Sequence, residues 1–149
     1  MNLSESATVS ELNDHSANSA AANCGIRVDT IGDNWVEASM PIDRRTRGLD
    51  GALRLGALAI LAESVGSLAA AISVDRSKFI CLGQTLQVIH LASATKGPVQ
   101  AKATPIEIGA DRHIWNIDIV DAEKRPIANA KLTTVILDAG NLPAGQGNV

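Results

Sequence analysis

At 149 residues the chain is long enough for one domain with a real hydrophobic core, and 46% of its residues are hydrophobic. Its 13 basic and 16 acidic side chains leave a net charge of −3, which excludes a general attraction to phosphate backbones. With no Tyr, one Phe and two Trp, the composition also argues against a stacking platform for single-stranded nucleic acid.

The N-terminal residues predict no secretory signal, and the two cysteines predict no metal site. The N-terminus has no basic segment followed by an apolar run, so it does not resemble a secretory signal. Cys24 and Cys81 form no CxxC or Cys/His cluster, which disfavours both a disulfide scaffold and a zinc site. We expect reduced thiols and a cytoplasmic location. Residues 1–24 are polar and predict a flexible tail, with a short helix near residues 9–13.

Two short strands and a loop are predicted next. Residues 26–31 alternate between apolar and polar side chains, and residues 35–42 read as a second strand. The turn signal Gly32-Asp33-Asn34 lies between them, so the pair is expected to form a hairpin. Residues 43–51 contain three arginines and two glycines and predict a loop.

The longest apolar stretch, residues 55–74, predicts a helix that is wrapped by the rest of the domain. Apolar residues recur at helical spacing and also cover much of the opposite side. A membrane span needs about 20 apolar residues. This stretch, however, is rich in Ala, Gly and Ser and carries Glu63 near its middle, which would cost a few kcal/mol in lipid. We therefore interpret it as the buried helix of a soluble protein, not a membrane helix.

The second half of the chain predicts four strands in an antiparallel meander. The segments are rich in β-branched residues and are separated by turn signals that contain Gly, Pro or Asp. One helix and one antiparallel sheet make a two-layer α+β domain over residues 25–138, followed by a flexible tail over residues 139–149. The four predicted strands are residues 79–91, 99–108, 114–120 and 127–137.

This strand order and the sequence around the helix resemble a known family. The segment from Gly51 to Ser67, GALRLGALAILAESVGS, resembles the phenylacetate-degradation and 4-hydroxybenzoyl-CoA type of thioesterase. In that family a His-Gly-Gly turn opens the helix, and an acidic residue follows about two turns later. Residues 83–91 and 113–119 resemble later strands of the same family. The resemblance covers residues 26–138 and implies the hotdog fold, an antiparallel sheet wrapped round one long central helix.

The resemblance implies an acyl-CoA thioester hydrolase, with aryl-CoA among the possible substrates. Glu63 would act as general base or nucleophile, and Ser67 lies one turn further along the same helix face. The free N–H groups around Leu55 and Gly56, at the start of the helix, could stabilise the oxyanion. No cofactor is implied, because coenzyme A is part of the substrate.

The sequence departs from the family at the opening turn. Arg54-Leu55-Gly56 stands where the family has His-Gly-Gly, and Gly48 stands where it often has Asn or Gln. Arg54 and Gly48 are therefore candidates for substrate binding. Arg112 and His113 lie in a turn that matches the family's CoA-binding turn, and we expect them to contact the CoA phosphates. Arg54, Arg47 and Lys78 are weaker candidates for the same role.

The spacing of the candidate residues predicts a homodimer. Leu55 and Glu63 are eight residues apart, so one helix separates them by roughly 12 Å. Oxyanion donors must lie about 3 Å from the oxygen that they stabilise. One helix therefore cannot easily supply both groups to one carbonyl, and a second, antiparallel copy is needed. The sequence does not distinguish a dimer from a dimer of dimers.

Other interpretations of these residues remain open at this stage. Glu63 could be a structural carboxylate, and Ser67 could be small only for packing. Arg112 and His113 could be an exposed turn pair, and His90 and Trp115 are expected to be structural. The alternative function is a non-catalytic hotdog protein that binds acyl-CoA or only oligomerises. A hydratase is disfavoured because the helix contains no His.

Overall fold

A computed structural model of the chain describes residues 2–141, which form one antiparallel sheet and one long helix with shorter helices before them. The helices are α1 (Val9–His15), α2 (Ala20–Asn23) and α3 (Leu55–Ile72). Short 3₁₀ turns span Leu3–Glu5 and Ala139–Asn141. The strands are β1 (Arg27–Ile31), β2 (Val36–Met40), β3 (Phe79–His90), β4 (Val99–Ile108), β5 (Arg112–Val120) and β6 (Pro126–Asp138).

The strand order across the sheet is β1-β2-β4-β5-β6-β3, and every neighbouring pair is antiparallel. The α+β class, the sheet and its central helix are confirmed. The four-strand meander is wrong, because β3 pairs with β6 at the edge of the sheet and β2 pairs with β4. Alternating side chains determine which face of a strand is buried but not which strand lies beside it.

Helix α3 forms the centre of the core. Leu58, Leu61 and Val65 are fully buried, and residues of β2, β3, β4, β5 and β6 pack around the helix. A Cβ atom at Gly66 would lie 2.7 Å from Cδ2 of Leu132, so glycine permits the close approach of α3 to β6. By length and composition alone α3 could cross a membrane. In this fold, half of it is buried inside the domain as the core helix.

The segment before β1 packs onto the sheet, which differs from the flexible tail that its composition predicts. Thr8 and Glu11 form a capping box that starts α1. Leu3 and Leu12 are buried in the main core. The few apolar residues of a polar segment can thus anchor it when each of them finds a place in the core. Of the predicted C-terminal tail, residues 142–149 lie outside the described residues.

Asn13 joins α1 to the outer edge of the sheet. Its Nδ2 donates to the Val28 carbonyl oxygen at 3.0 Å, and its Oδ1 accepts from the Val28 N–H at 2.9 Å. One amide side chain therefore occupies both backbone polar groups of a residue on edge strand β1. Such covering of an edge opposes pairing with another chain.

Replacing Asn13 with Ala should lower the free energy of unfolding by about 1–3 kcal/mol, because two hydrogen bonds are lost at about 0.5–1.5 kcal/mol each. Urea denaturation measures the change. Asn18→Ala is the matched control, since Asn18 is exposed, and it should stay within about 0.5 kcal/mol of wild type. Equal stability of the two variants would contradict the role of Asn13.

Candidate active site

Glu63 lies on the exposed side of α3, in contact with the edge strand β3. The Ser67 hydroxyl, one helical turn further along, donates to Oε1 of Glu63 at 2.7 Å. A Cβ atom at Gly83 of β3 would lie 3.4 Å from the same oxygen. Glu63 and Ser67 are therefore together, as the helical spacing predicts, and the carboxylate is held between the helix and the edge of the sheet.

The sequence did not reveal Gly83 as a neighbour of Glu63. Gly83 pairs with Thr134 of β6, and the register between the two strands shifts between Gly83 and Thr85. Such a bulge bends an edge strand locally. A glycine inside a β-pattern is the only signal that could have indicated this position, because it often marks a bulge or a close approach.

The start of α3 leaves backbone donors without acceptors. Arg54 is the N-cap, its side chain makes no capping hydrogen bond, and the first turn contains no acidic residue. Within residues 2–141, the first α3 residue whose N–H has an acceptor is Leu58, which bonds the Arg54 carbonyl at 3.1 Å. Leu55 and Gly56 are exposed. Their N–H groups, at the positive end of the helix dipole, can stabilise a developing negative charge.

Arg54 and Gly48 are also together, at the loop that precedes α3. Nη2 of Arg54 lies 3.3 Å from Oδ1 of Asp50, and the guanidinium rests against the backbone of Gly48. The Gly48 N–H donates to the Ala52 carbonyl oxygen at 2.9 Å, which closes the loop. The expected substrate-binding pair thus lies beside the helix N-terminus and not beside Glu63 of the same chain.

The expectation for His113 is corrected by its position. His113 is 2% exposed, and its Nδ1 lies 3.2 Å from Oγ of Ser73 at the end of α3. Its ring meets Trp115 edge-on at 6.3 Å between centroids. A side chain so buried cannot reach a phosphate in solvent. Arg112 remains exposed at the start of β5, and Trp115 is in the core as expected. The alternation of β5 turns residue 113 inward and residue 112 outward.

Burial also determines the ionisation of two nearby side chains. Desolvation lowers the pKa of His113 from its ordinary value of 6.5, although a hydrogen bond with the Gly109 backbone opposes this effect. Burial raises the pKa of the Cys81 thiol to about 11, so Cys81 stays protonated near neutral pH. Its Sγ lies 3.3 Å from the Ala70 carbonyl oxygen, where it acts as a donor. Neither side chain is suited to nucleophilic chemistry here.

Comparison with known proteins gives a consistent result. Residues 51–128 match the family model described as the thioesterase superfamily. The 1,4-dihydroxy-2-naphthoyl-CoA hydrolase of Escherichia coli is 37% identical over 112 residues, which cover 75% of this chain and 82% of that protein.

Two solved structures are also similar over most of their length. A thioesterase of Haemophilus influenzae superposes with a TM-score of 0.88 at 33% identity, covering 94% of this chain and 96% of that chain. A thioesterase of Pseudomonas aeruginosa, crystallised as a mutant, superposes with a TM-score of 0.87 at 35% identity, covering 89% and 95%.

The buried His113 should make stability depend on pH. Because the pKa of His113 is lowered in the folded state, the unfolded chain binds more protons below about pH 6.5. Stability should therefore fall as the pH drops below that value, and His113→Gln should show a shallower fall. Urea denaturation between pH 7.5 and about pH 5 measures both slopes. Equal slopes for wild type and His113→Gln would contradict the assignment.

Proposed function

The chain belongs to the thioesterase superfamily and has the hotdog fold, and we propose that it hydrolyses acyl-CoA thioesters, aryl-CoA included, with Glu63 as the reacting carboxylate. Thioester hydrolysis follows from the family and from the 37% identical CoA hydrolase. The roles of individual residues are our proposal. The CoA moiety belongs to the substrate, so the reaction requires no separate cofactor.

The observation that carries the proposal is the fixed, accessible carboxylate of Glu63. Ser67 donates to one of its oxygens and thereby restricts the side chain, while the remaining lone pairs stay available. As a general base, Glu63 would take a proton from water as the water oxygen bonds to the thioester carbon. The carbon–sulfur bond then breaks, and the sulfur leaves as the CoA thiol after protonation.

Glu63 could also act as a nucleophile. In that case a carboxylate oxygen bonds to the thioester carbon, CoA leaves, and water hydrolyses the resulting anhydride to regenerate Glu63. The products are the same carboxylic acid and free CoA. In both routes negative charge develops on the carbonyl oxygen, and the N–H groups of Leu55 and Gly56 are suited to stabilise it.

The two parts of the site require a second copy of the chain. Leu55 and Glu63 are eight residues apart on one helix, about 12 Å along its axis, so they cannot serve the same carbonyl. An antiparallel copy of α3 would bring its N-terminus beside Glu63. The less buried residues of α3 recur at Gly56, Ile60, Glu63 and Ser67, which form one strip along the helix.

The open edge of β3 supports a partner on that side. β3 is 12 residues long, and one of its sides has no strand neighbour among the described residues. Leu82 and Ile89 of this strand are 46% and 50% exposed. At the opposite edge, Asn13 hydrogen-bonds to the backbone of β1. That edge is therefore partly covered, whereas the edge of β3 is open. We infer that a second copy pairs along β3, next to Glu63, in a dimer or a dimer of dimers.

Of the two turn residues that the resemblance assigns to the CoA phosphates, Arg112 is the exposed one. It is exposed at the start of β5, in the turn whose sequence resembles the CoA-binding turn of the family. A phosphate contact there would stabilise the CoA moiety of every substrate equally. It would therefore affect substrate binding and not the choice of acyl group.

Replacing Glu63 with Gln should lower kcat by about 10²- to 10⁴-fold on aryl- and short- to medium-chain acyl-CoAs, because the amide cannot accept the proton. A thiol-reactive dye that follows CoA release measures the rate. Glu37→Gln is the matched control, since Glu37 lies on β2 and pairs with Lys102 at 3.2 Å. Undiminished turnover by a folded Glu63→Gln protein would remove the proposal. CoA binding without hydrolysis by wild type would support the non-catalytic alternative.

A composite site can be tested by mixing two inactive variants. Leu55→Pro removes one first-turn N–H, and proline is tolerated there because Arg54 before it is extended (φ −90°, ψ 145°). It should lower kcat by about 10²- to 10³-fold relative to Leu55→Ala, which keeps the N–H. If Leu55→Pro and Glu63→Gln protomers are mixed, unfolded and refolded together, about a quarter of wild-type activity should return. Sites contained within single chains would give no recovery.

A further inference from the structure

The side chain of Arg54 packs against the backbone of Gly48. A Cβ atom at Gly48 would overlap both Nε and Nη2 of Arg54, so the guanidinium occupies the space of the absent side chain. Gly25 and Gly51, but not Gly48, are the described glycines with positive φ. In this arrangement Gly48 leaves room for the guanidinium, and its φ does not by itself require glycine.

The charge of Arg54 is unusual for its place in the fold. A cation at a helix N-terminus faces the positive end of the helix dipole, which favours anions. Its ionic partner, Asp50, contacts one nitrogen at 3.3 Å, and the two side chains are 56% and 59% exposed, so the ion pair adds little stability. Most of the guanidinium donors therefore stay available to a ligand.

The loop around this pair adds positive charge. Arg44 and Arg47 line a concavity with Gly48, Leu49, Asp50 and Gly51, so its lining contains two guanidinium groups and one carboxylate. Arg45 of the same loop adds no unpaired positive charge, because its guanidinium is paired with Asp43 at 2.6 Å. The surroundings of Arg54 thus favour a ligand with a negative charge.

We propose that Arg54, for which Gly48 leaves room, selects acyl-CoA substrates whose acyl group carries its own carboxylate. This inference rests on the proposed function, in which the thioester carbonyl lies at the N-terminus of α3, next to Arg54. The pantetheine arm separates the CoA phosphates from that carbonyl, so we assign the anion beside Arg54 to the acyl group. A carboxylate also matches the planar fork of a guanidinium, which can bind it with two parallel hydrogen bonds.

The test compares kcat/KM for succinyl-CoA and butyryl-CoA, which have equal chain length and differ in the terminal carboxylate. Wild type should favour succinyl-CoA by about 10- to 100-fold, as expected for hydrogen bonds between charged groups. Arg54→Gln should reduce this ratio to near one, and Arg54→Lys should keep part of it. Arg27→Gln is the control; Arg27 is exposed on β1, at the other edge of the sheet, and its variant should keep the wild-type ratio and rate.

Gly48→Ala provides a second test that leaves every charge in place. The added methyl group displaces the guanidinium, so the preference for succinyl-CoA should fall. In an Arg54→Gln background, the same change should have little further effect on the ratio.

Three results would overturn the proposal. The first is equal use of the two substrates by wild type. The second is an equal loss of kcat on both substrates in Arg54→Gln, which would make Arg54 an oxyanion donor. The third is an equal rise of KM on both, which would indicate a phosphate contact. If wild type hydrolyses neither these two nor any aryl- or medium-chain acyl-CoA, the proposed function itself fails; hydrolysis without a preference removes only the selectivity.

Discussion

A helix that is apolar on nearly every side is stabilised by each side that the domain covers, and this constraint organises the molecule. Five strands of the sheet pack around α3, and Gly66 lets the helix approach β6 closely. The cover is incomplete on the side of α3 that includes Glu63 and Ser67, beside the open edge of β3. Burial of the helix and exposure of its carboxylate are therefore two results of the same packing.

Features that are locally unfavourable are concentrated around this strip and the start of α3. Edge strand β3 is long and carries exposed apolar residues, although edges of this kind invite pairing. The N-cap of the helix is an arginine, and the first turn contains no acidic residue. Natural chains keep such features mainly where function requires them. A second copy paired along β3 would cover the exposed strand edge. An anionic acyl group beside Arg54 would balance the positive charge at the start of α3.

The bounds of the helix and strands were largely predictable from the sequence, but the pairing of the strands was not. The bounds of β4 agree with the prediction at both ends, and those of α3 differ by two residues at its C-terminus. The position of β3 beside β6 depends on contacts between residues that are far apart in the sequence, which a local pattern does not contain. The same holds for α1: Asn13 finds its partner at Val28, fifteen residues away.

The sequence by itself determined the long apolar helix, its single acid and the hydroxyl one turn away, because helical spacing alone places Glu63 and Ser67 on one face. It also determined the distance that separates Glu63 from the helix N-terminus. Only the tertiary structure decided that His113 is buried against Ser73, that Gly83 lies beside Glu63 and that Gly48 leaves room for Arg54. These contacts join segments through the sheet register and the course of the loop before α3, and both are set by packing between distant parts of the chain.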